Sequence, residues 1–426
     1  MQQEASSRTA KLAKQFGPGL VTGAADDDPS GIATYSQAGA QFGFQLLWTI
    51  VLTYPLMTAV QLVSARIGRV TDHGLAHNMC RILPRPLVLG LVALLFVANT
   101  INVGADLAAM GEAAQLVTGG NPNAFAVGFA LLSLLLQLFI PYHRYAAVLK
   151  WLTLVLLAYV ALLLMIHVDW SSALKGMVWP TLAGAGAVTT VVAIFGTTIS
   201  PYLFFWQSSQ EVEEVDRDDD KHALTEAPEE APEEFGRIRV DTFVGMAASN
   251  LVALAIMIGT AATLHASGKT DIQTAAEAAE ALRPVAGQFA FLLFALGIIG
   301  TGLLAVPVLA GSVAYAAAET NGWTCGLERT PREAPGFYGV IAASVLLGLA
   351  MCWLPIDPIK ALFWSAVVNG VVAVPIMVVM MLVVGRKSQM GDFTAPLPLK
   401  LFGWAATGVM AAAALAMFAL PLMGMG

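Results

Sequence analysis

The sequence predicts an all-helical protein that crosses a membrane many times, and three observations support this prediction. Hydrophobic residues make up 57% of the 426 residues, charged residues make up only 12%, and the mean hydropathy is +0.71. This composition is typical of polytopic membrane proteins and not of soluble enzymes. The apolar residues gather in eleven stretches that are long enough for membrane helices. The basic residues concentrate in alternate connections between these stretches, as the positive-inside rule requires.

The eleven predicted spans divide the chain into four parts. The spans cover residues 17–42, 44–66, 86–117, 125–141, 147–167, 184–209, 241–265, 284–317, 336–354, 359–384 and 401–423. Residues 1–16 form a predicted cytoplasmic tail, 17–168 a first set of five spans, 184–384 a second set of five, and 401–423 an additional span.

The distribution of basic residues predicts the orientation. With the N-terminus in the cytoplasm, 18 of the 22 lysine and arginine residues fall on the cytoplasmic side. The opposite side holds only Lys175, Lys269, Arg283 and Lys360. The net charge of −7 argues against nucleic-acid binding, and the three scattered cysteines are predicted to be free thiols.

The first span contains a polar interruption at Asp26, Asp27, Asp28 and Pro29. Proline removes a backbone donor and crowds the preceding turn, so a continuous helix is not expected here. Ionised residues inside a membrane segment are costly and by default mark a functional site. The alternative is a solvated loop between two short hydrophobic pieces.

The sixth span is interrupted in the same way at Ser200 and Pro201. Two broken helices five spans apart indicate a transporter built from inverted repeats, with its binding site near the middle of the membrane. Spans one to five would form one repeat and spans six to ten the other. Unwound backbone and Asp28 would then present hard oxygen ligands, which suit Mg²⁺, Ca²⁺ or Mn²⁺.

Motifs occur at Asp28-Pro29-Ser30-Gly31 in the first span, at residues 61–71 in the second, at 104–108 in the third, and from Asp241-Thr242 through Thr263-Leu264-His265 around the seventh. Together they resemble the NRAMP divalent-metal transporters, and the departures at Gly31 and Ser200 resemble the NRAMP-related magnesium transporters of prokaryotes. The resemblance implies a LeuT-like fold of 5+5 inverted repeats with discontinuous helices 1 and 6. It also implies divalent-cation transport by alternating access across the prokaryotic plasma (inner) membrane.

The resemblance implies a metal site with altered ligands. It assigns the family's aspartate to Asp28 and two metal-binding backbone carbonyls to Ala25 and Thr197. The family's asparagine falls at Gly31 and its methionine at Ser200. Loss of the soft sulfur ligand and of two bulky side chains favours a larger, all-oxygen cavity for a partly hydrated Mg²⁺. Gly31 and Ser200 could equally serve close backbone approach.

Four further polar residues are weaker candidates for the metal site. Asp26 and Asp27 could line the cavity or simply be solvated. Asn369, in the tenth span, could bind the ion or form a hydrogen bond between helices. Asp106, in the third span, could equally pair with Asn102.

Proton coupling is not expected. The family's sixth-span histidines fall at Tyr202 and Gln207, neither of which titrates near neutral pH, and its third-span glutamate falls at Ala109.

We predict a monomeric, non-enzymatic carrier of Mg²⁺, and also of Mn²⁺, which binds the metal as substrate without any cofactor. The alternatives are a proton-coupled Mn²⁺/Fe²⁺ symporter and a sodium-coupled organic-solute symporter of the same fold. A membrane-embedded enzyme or receptor has no supporting motif.

The cytoplasmic loop at residues 211–239 is strongly acidic. Pro228 and Pro232 argue against a long helix there, so we expect a hydrated, mobile connector.

Overall fold

The computed structural model describes residues 18–142, 144, 149, 151–182, 184–217 and 222–423. The predicted N-terminal tail at 1–16 and part of the acidic loop, Asp218 to Asp220, lie outside the described residues. Within the described ranges the regular elements are helices.

The helices that make up the spans are labelled α1 to α13. They are α1 Pro18–Asp26, α2 Pro29–Phe42, α3 Leu47–Thr71, α4 Arg85–Thr118, α5 Pro122–Phe139, α6 Leu157–Met165, α7 Gly184–Thr198, α8 Pro201–Asp216, α9 Ala231–Thr260, α10 Ala290–Asn321, α11 Pro335–Met351, α12 Pro358–Gly385 and α13 Leu397–Leu422. Short helical segments connect them at Leu75–Cys80, Leu152–Leu156, Trp170–Val178, Pro228–Glu230, Ala261–His265, Ala275–Ala279, Glu280–Leu282, Arg283–Ala286, Gly287–Phe289 and Lys387–Met390.

The helices agree with the predicted number of spans. Eight helical stretches in the described part of the chain are long and apolar enough to cross a membrane, one of which combines α7 and α8. Two shorter apolar helices, Leu154–Met165 and Pro335–Met351, fall where the fifth and ninth spans were predicted. The pair α1 and α2 occupies the predicted first span. The chain is therefore a polytopic membrane protein.

Both predicted interruptions are present. Helix α1 ends at Asp26 and α2 starts at Pro29, while α7 ends at Thr198 and α8 starts at Pro201. In each case the proline occupies the first turn of the second half-helix, where its missing N–H costs nothing. Each pair of half-helices therefore leaves two residues of non-helical backbone inside the buried part of the protein.

Small residues press each first half-helix against a neighbour. A Cβ atom added to Gly23 of α1 would lie 2.4 Å from the backbone carbonyl of Gly245 in α9. A Cβ atom added to Gly196 of α7 would lie 2.0 Å from the carbonyl oxygen of Ala366 and 2.4 Å from the nitrogen of Gly370, both in α12. Such close approach of backbones is typical of membrane helices with small residues at the interface. It holds α1 against α9 and α7 against α12.

The expectation of a hydrated, mobile connector at residues 211–239 is wrong for the part that the structure describes. Helix α8 continues to Asp216, and α9 begins at Ala231 with Pro232 tolerated in its first turn. Glu211 and Glu234 are buried, and both form ion pairs with Arg237, at 2.6 and 3.0 Å. These acidic residues stabilise the packing of α8 on α9.

Candidate metal-binding site

Asp28 lies at the break of the first span and is only 1% exposed. It is the N-cap residue of α2, and its Oδ1 atom accepts hydrogen bonds from the backbone N–H of Gly31 at 2.8 Å and from the Ser30 hydroxyl at 2.6 Å. Capping satisfies a helix N–H that would otherwise have no partner. Because one oxygen performs this structural role, the other is directed to the surrounding helices.

The second oxygen, Oδ2, faces α4 and α8. It accepts a hydrogen bond from Asn102 Nδ2 at 3.0 Å and lies 3.4 Å from the Tyr202 hydroxyl. The same hydroxyl lies 3.3 Å from the backbone carbonyl oxygen of Ala25. One hydroxyl proton cannot serve both acceptors at full strength, so these two oxygens converge on one donor through long, weak contacts.

The break of the sixth span borders the same region. The Thr197 hydroxyl lies 3.4 Å from that of Ser30, and a Cβ atom at Gly31 would lie 3.2 Å from Thr197 Oγ1 and 3.3 Å from Tyr35 Cε2. The room that a side chain at position 31 would need is therefore partly filled by Thr197 and Tyr35. In this arrangement the site is not the simply enlarged cavity that we expected from the loss of asparagine.

Ser200 precedes α8 as its N-cap residue, and its side chain points back to the end of α7. Its hydroxyl lies 2.8 Å from the carbonyl oxygen of Gly196 and 2.7 Å from that of Thr197, and these two oxygens share its single proton. The Thr197 carbonyl, an expected metal ligand, is thus occupied by an internal hydrogen bond that a bound ion would have to replace.

Asp26 and Asp27 are buried, with exposed fractions of 0% and 7%, so the solvated-loop alternative is wrong. The Ser249 hydroxyl of α9 lies 2.6 Å from Asp26 Oδ2 and 2.9 Å from Asp27 Oδ1, so the two carboxylates share its single proton. Their contacts are directed to α9 and those of Asp28 to α4 and α8. The three successive carboxylates therefore divide between two sets of partners.

Asp106 and Asn369 are fully buried, and none of their side-chain oxygen or nitrogen atoms has a hydrogen-bond partner among the described residues. The suggested pairing of Asp106 with Asn102 is wrong, since Asn102 donates to Asp28 and accepts from the Ser365 hydroxyl at 2.6 Å. The suggested hydrogen bond from Asn369 to another helix is also absent in this part of the chain. Burying a polar group without a hydrogen-bond partner costs free energy. Asp106 and Asn369 are therefore candidates to bind a cation or its water when the site is occupied.

Sequence reasoning missed the partners that hold Asp28. Asn102 lies one helical turn before Asp106, and Ser365 lies one turn before Asn369. Asn102 therefore shares a helix face with Asp106, and Ser365 shares one with Asn369. This spacing of polar residues in apolar helices was the available signal.

The chemistry of the site is that of oxygen ligands. Among the residues that the structure describes, no three His, Cys, Asp or Glu side chains are grouped so that they alone could hold a metal ion. Any cation held here would therefore need backbone carbonyls, hydroxyls or retained water beside the Asp28 carboxylate. Such a mixed oxygen environment suits hard divalent cations.

Comparison with known proteins identifies relatives along nearly the whole chain. Over 323 residues it is 30% identical to the divalent metal cation transporter MntH of Pectobacterium carotovorum, covering 73% of this chain and 74% of that protein. Over 418 residues it is 28% identical to the MntH protein of Klebsiella pneumoniae, covering 96% and 95%.

The structure is similar to that of the Eremococcus coleocola manganese transporter, with a TM-score of 0.72 at 19% identity over 94% of this chain and 85% of that one. The predicted LeuT-like 5+5 fold with discontinuous helices 1 and 6 is confirmed. The sequence model of the family described as Natural resistance-associated macrophage protein-like matches residues 19–420. The chain therefore belongs to the Nramp family.

Proposed function

We propose that this protein carries divalent cations, Mg²⁺ and also Mn²⁺, into the cell by alternating access and without proton coupling. Its relatives are named as divalent metal cation or manganese transporters. The proposed site is the junction of the two broken helices around Asp28, in a multi-pass protein of the prokaryotic inner membrane.

The observation that carries the proposal is the convergence of Asp28 Oδ2 and the Ala25 carbonyl on the Tyr202 hydroxyl. Both oxygens are acceptors, and both contacts, at 3.4 and 3.3 Å, are long for a hydroxyl donor. A cation, or a water molecule bound to it, could take the place of the Tyr202 hydroxyl. It would interact more strongly with Asp28 Oδ2 and the Ala25 carbonyl oxygen than the hydroxyl does. The carboxylate would then balance part of the ionic charge where the dielectric constant is low.

The altered ligands favour Mg²⁺ over softer metals. Ser200 stands at the position that the resemblance assigns to a thioether, so that position supplies no soft ligand. Mg²⁺ gives up water reluctantly and is usually bound through one or two carboxylates with several waters retained. Because the site is tightly packed, Thr197, Tyr35 or Tyr202 would have to move to admit a partly hydrated ion.

Uncoupled transport follows from neutral residues at the two histidine positions. Tyr202 contacts Asp28, while Gln207 accepts from the Thr22 hydroxyl at 2.6 Å and donates to Glu211 at 3.1 Å. Uptake would then be driven by the membrane potential, worth about 2.3 kcal/mol per charge per 100 mV, or roughly twice that for a divalent ion.

The test is uptake into proteoliposomes that contain both a Mg²⁺ indicator and a pH indicator. We expect Mg²⁺ entry that increases with an inside-negative potential, is competed by Mn²⁺ more than by Ca²⁺, and leaves the internal pH unchanged. Liposomes without protein and liposomes clamped at zero potential are the controls. Acidification in proportion to metal entry would overturn the uncoupled mechanism and favour the proton-coupled Mn²⁺/Fe²⁺ alternative.

A further inference from the structure

A deep cleft opens between α3, α9 and the start of α13, away from the metal site. Its volume is about 630 Å³, and its lining is mostly apolar. Its lining includes Tyr54, Leu62, Arg66, Arg239, Phe243 and Phe402. Phe243 and Phe402 are 42% and 48% exposed, so the cleft opens on the outer surface of the helix bundle.

The cleft has an apolar end and a basic end. Tyr54 and Phe243 close the apolar end with an edge-to-face ring contact at 6.4 Å. Arg66 lies at the other end, against Phe235, and Arg239 lies on α9 about one helical turn from Phe235 and one from Phe243. Both arginines are on the side that we predict to be cytoplasmic. From Tyr54 to Arg66 is twelve residues of helix α3, or about 18 Å. This is close to the depth of one leaflet, roughly half of a 30 Å hydrocarbon core.

The two arginines carry charge that the rest of the described chain does not balance. Arg66 stacks on Phe235, with Cζ 3.8 Å from the ring centre, and its Nε donates to the Phe393 carbonyl at 2.8 Å. The described ion pairs on this side instead use Arg69, Arg217 and Arg237. Arg66 is thus held in place by neutral groups, and Arg239 is exposed.

We propose that this cleft binds an anionic phospholipid of the cytoplasmic leaflet. One acyl chain would lie along α3 toward Tyr54, and the phosphate would bind between Arg66 and Arg239. Guanidinium groups form paired hydrogen bonds with phosphate oxygens. Basic pockets between membrane helices on the cytoplasmic side are the setting in which such headgroups bind.

The test is native mass spectrometry of the full-length protein in detergent, with equal amounts of phosphatidylglycerol and phosphatidylcholine added. We expect one phosphatidylglycerol to be retained in preference to phosphatidylcholine. Arg239→Gln should weaken its binding about fivefold, the loss of roughly 1 kcal/mol for one basic residue near the headgroups. Leu62→Trp should prevent binding by filling the cleft while leaving the charge unchanged.

Arg386→Gln is the matched control, because Arg386 is an exposed basic residue on the same predicted side but outside the cleft lining. It should retain phosphatidylglycerol like the wild type. Equal retention of the two lipids would overturn the proposal, and so would undiminished binding by both Arg239→Gln and Leu62→Trp. A dimer that dissociates in Leu62→Trp would also overturn it, since the occupant would then be a second copy of the chain.

Discussion

Asp28 uses its two carboxylate oxygens for different purposes. Oδ1 caps helix α2, and Oδ2 is presented to Asn102 and Tyr202. The sequence was sufficient to predict Asp28, because the cost of a charge within an apolar span identifies it without knowledge of its neighbours. Asn102 and Tyr202 could not be predicted as its partners, since only the packing of α4 and α8 against the break brings them there.

The selectivity account predicts that Gly31→Asn combined with Ser200→Met shifts the transport preference toward Mn²⁺. The double variant restores an amide and a thioether, and it removes the Ser200 hydroxyl that occupies the Thr197 carbonyl. The measurement is the concentration of Mn²⁺ that halves Mg²⁺ uptake, which should fall at least about tenfold, equivalent to 1.4 kcal/mol.

Gly31→Asn combined with Ser200→Ala is the control, because it frees the carbonyl without adding sulfur. Comparable Mn²⁺ preference in both double variants would show that sulfur is not the determinant. An unchanged preference in the thioether variant would contradict the selectivity account.

At the scale of helices, the site depends on how closely the first half-helices pack. Proline together with an adjacent polar residue allowed both breaks to be predicted, since proline removes a backbone hydrogen bond and crowds the preceding turn. Proline alone was not sufficient, because α3, α10 and α12 continue through Pro55, Pro307 and Pro375. The same rule gave the wrong answer at Pro232, because proline is tolerated in a first turn, and sequence does not show where that turn begins. The contact of Gly23 with Gly245 was also not predictable, because glycine in a membrane span does not reveal its partner.

Gly23→Ala should destabilise the protein by about 1–3 kcal/mol through overpacking. Its added methyl group would meet the Gly245 backbone at 2.4 Å and push α1 away from α9. Gly128→Ala is the matched control, since a Cβ atom there meets nothing within 4 Å. We expect this control to be neutral or stabilising by about 0.5–1 kcal/mol, the helix-propensity difference. Equal unfolding free energies for the two variants in detergent would contradict the packing account.

At the scale of the whole molecule, buried ion pairs connect α3, α8 and α9 on the predicted cytoplasmic side. The Arg69 side chain is fully buried and pairs with Glu230 at 2.7 Å and Glu234 at 3.2 Å, while Arg237 pairs with Glu211 and Glu234. The number of spans and the fold were predictable, because hydropathy and basic-residue asymmetry are properties of whole segments. The ion pairs were not, because a run of acidic residues looks the same in sequence whether it is hydrated or buried.

Arg69→Met should lower the free energy of unfolding by about 3 kcal/mol. This is at the lower end of the range expected for breaking a buried ion pair, because Glu234 would still be paired with Arg237. Arg217→Met is the comparison, since Arg217 is 30% exposed and its pairs should contribute at most about 1 kcal/mol. Unfolding in detergent, followed by tryptophan fluorescence, measures both. A smaller loss for Arg69→Met than for Arg217→Met would contradict this description of the buried network.

The most direct test of the metal site is Mg²⁺ uptake by Asp28→Asn, compared with wild type and Asp28→Ala. Asparagine caps a helix about as well as aspartate does, so Asp28→Asn keeps the fold while removing the charge, whereas Asp28→Ala also loses a cap worth about 1 kcal/mol. We predict that both variants lose nearly all Mg²⁺ uptake and that Asp28→Asn retains wild-type unfolding stability. Mg²⁺ uptake by Asp28→Asn at the wild-type rate would contradict the assignment of the ion to this carboxylate.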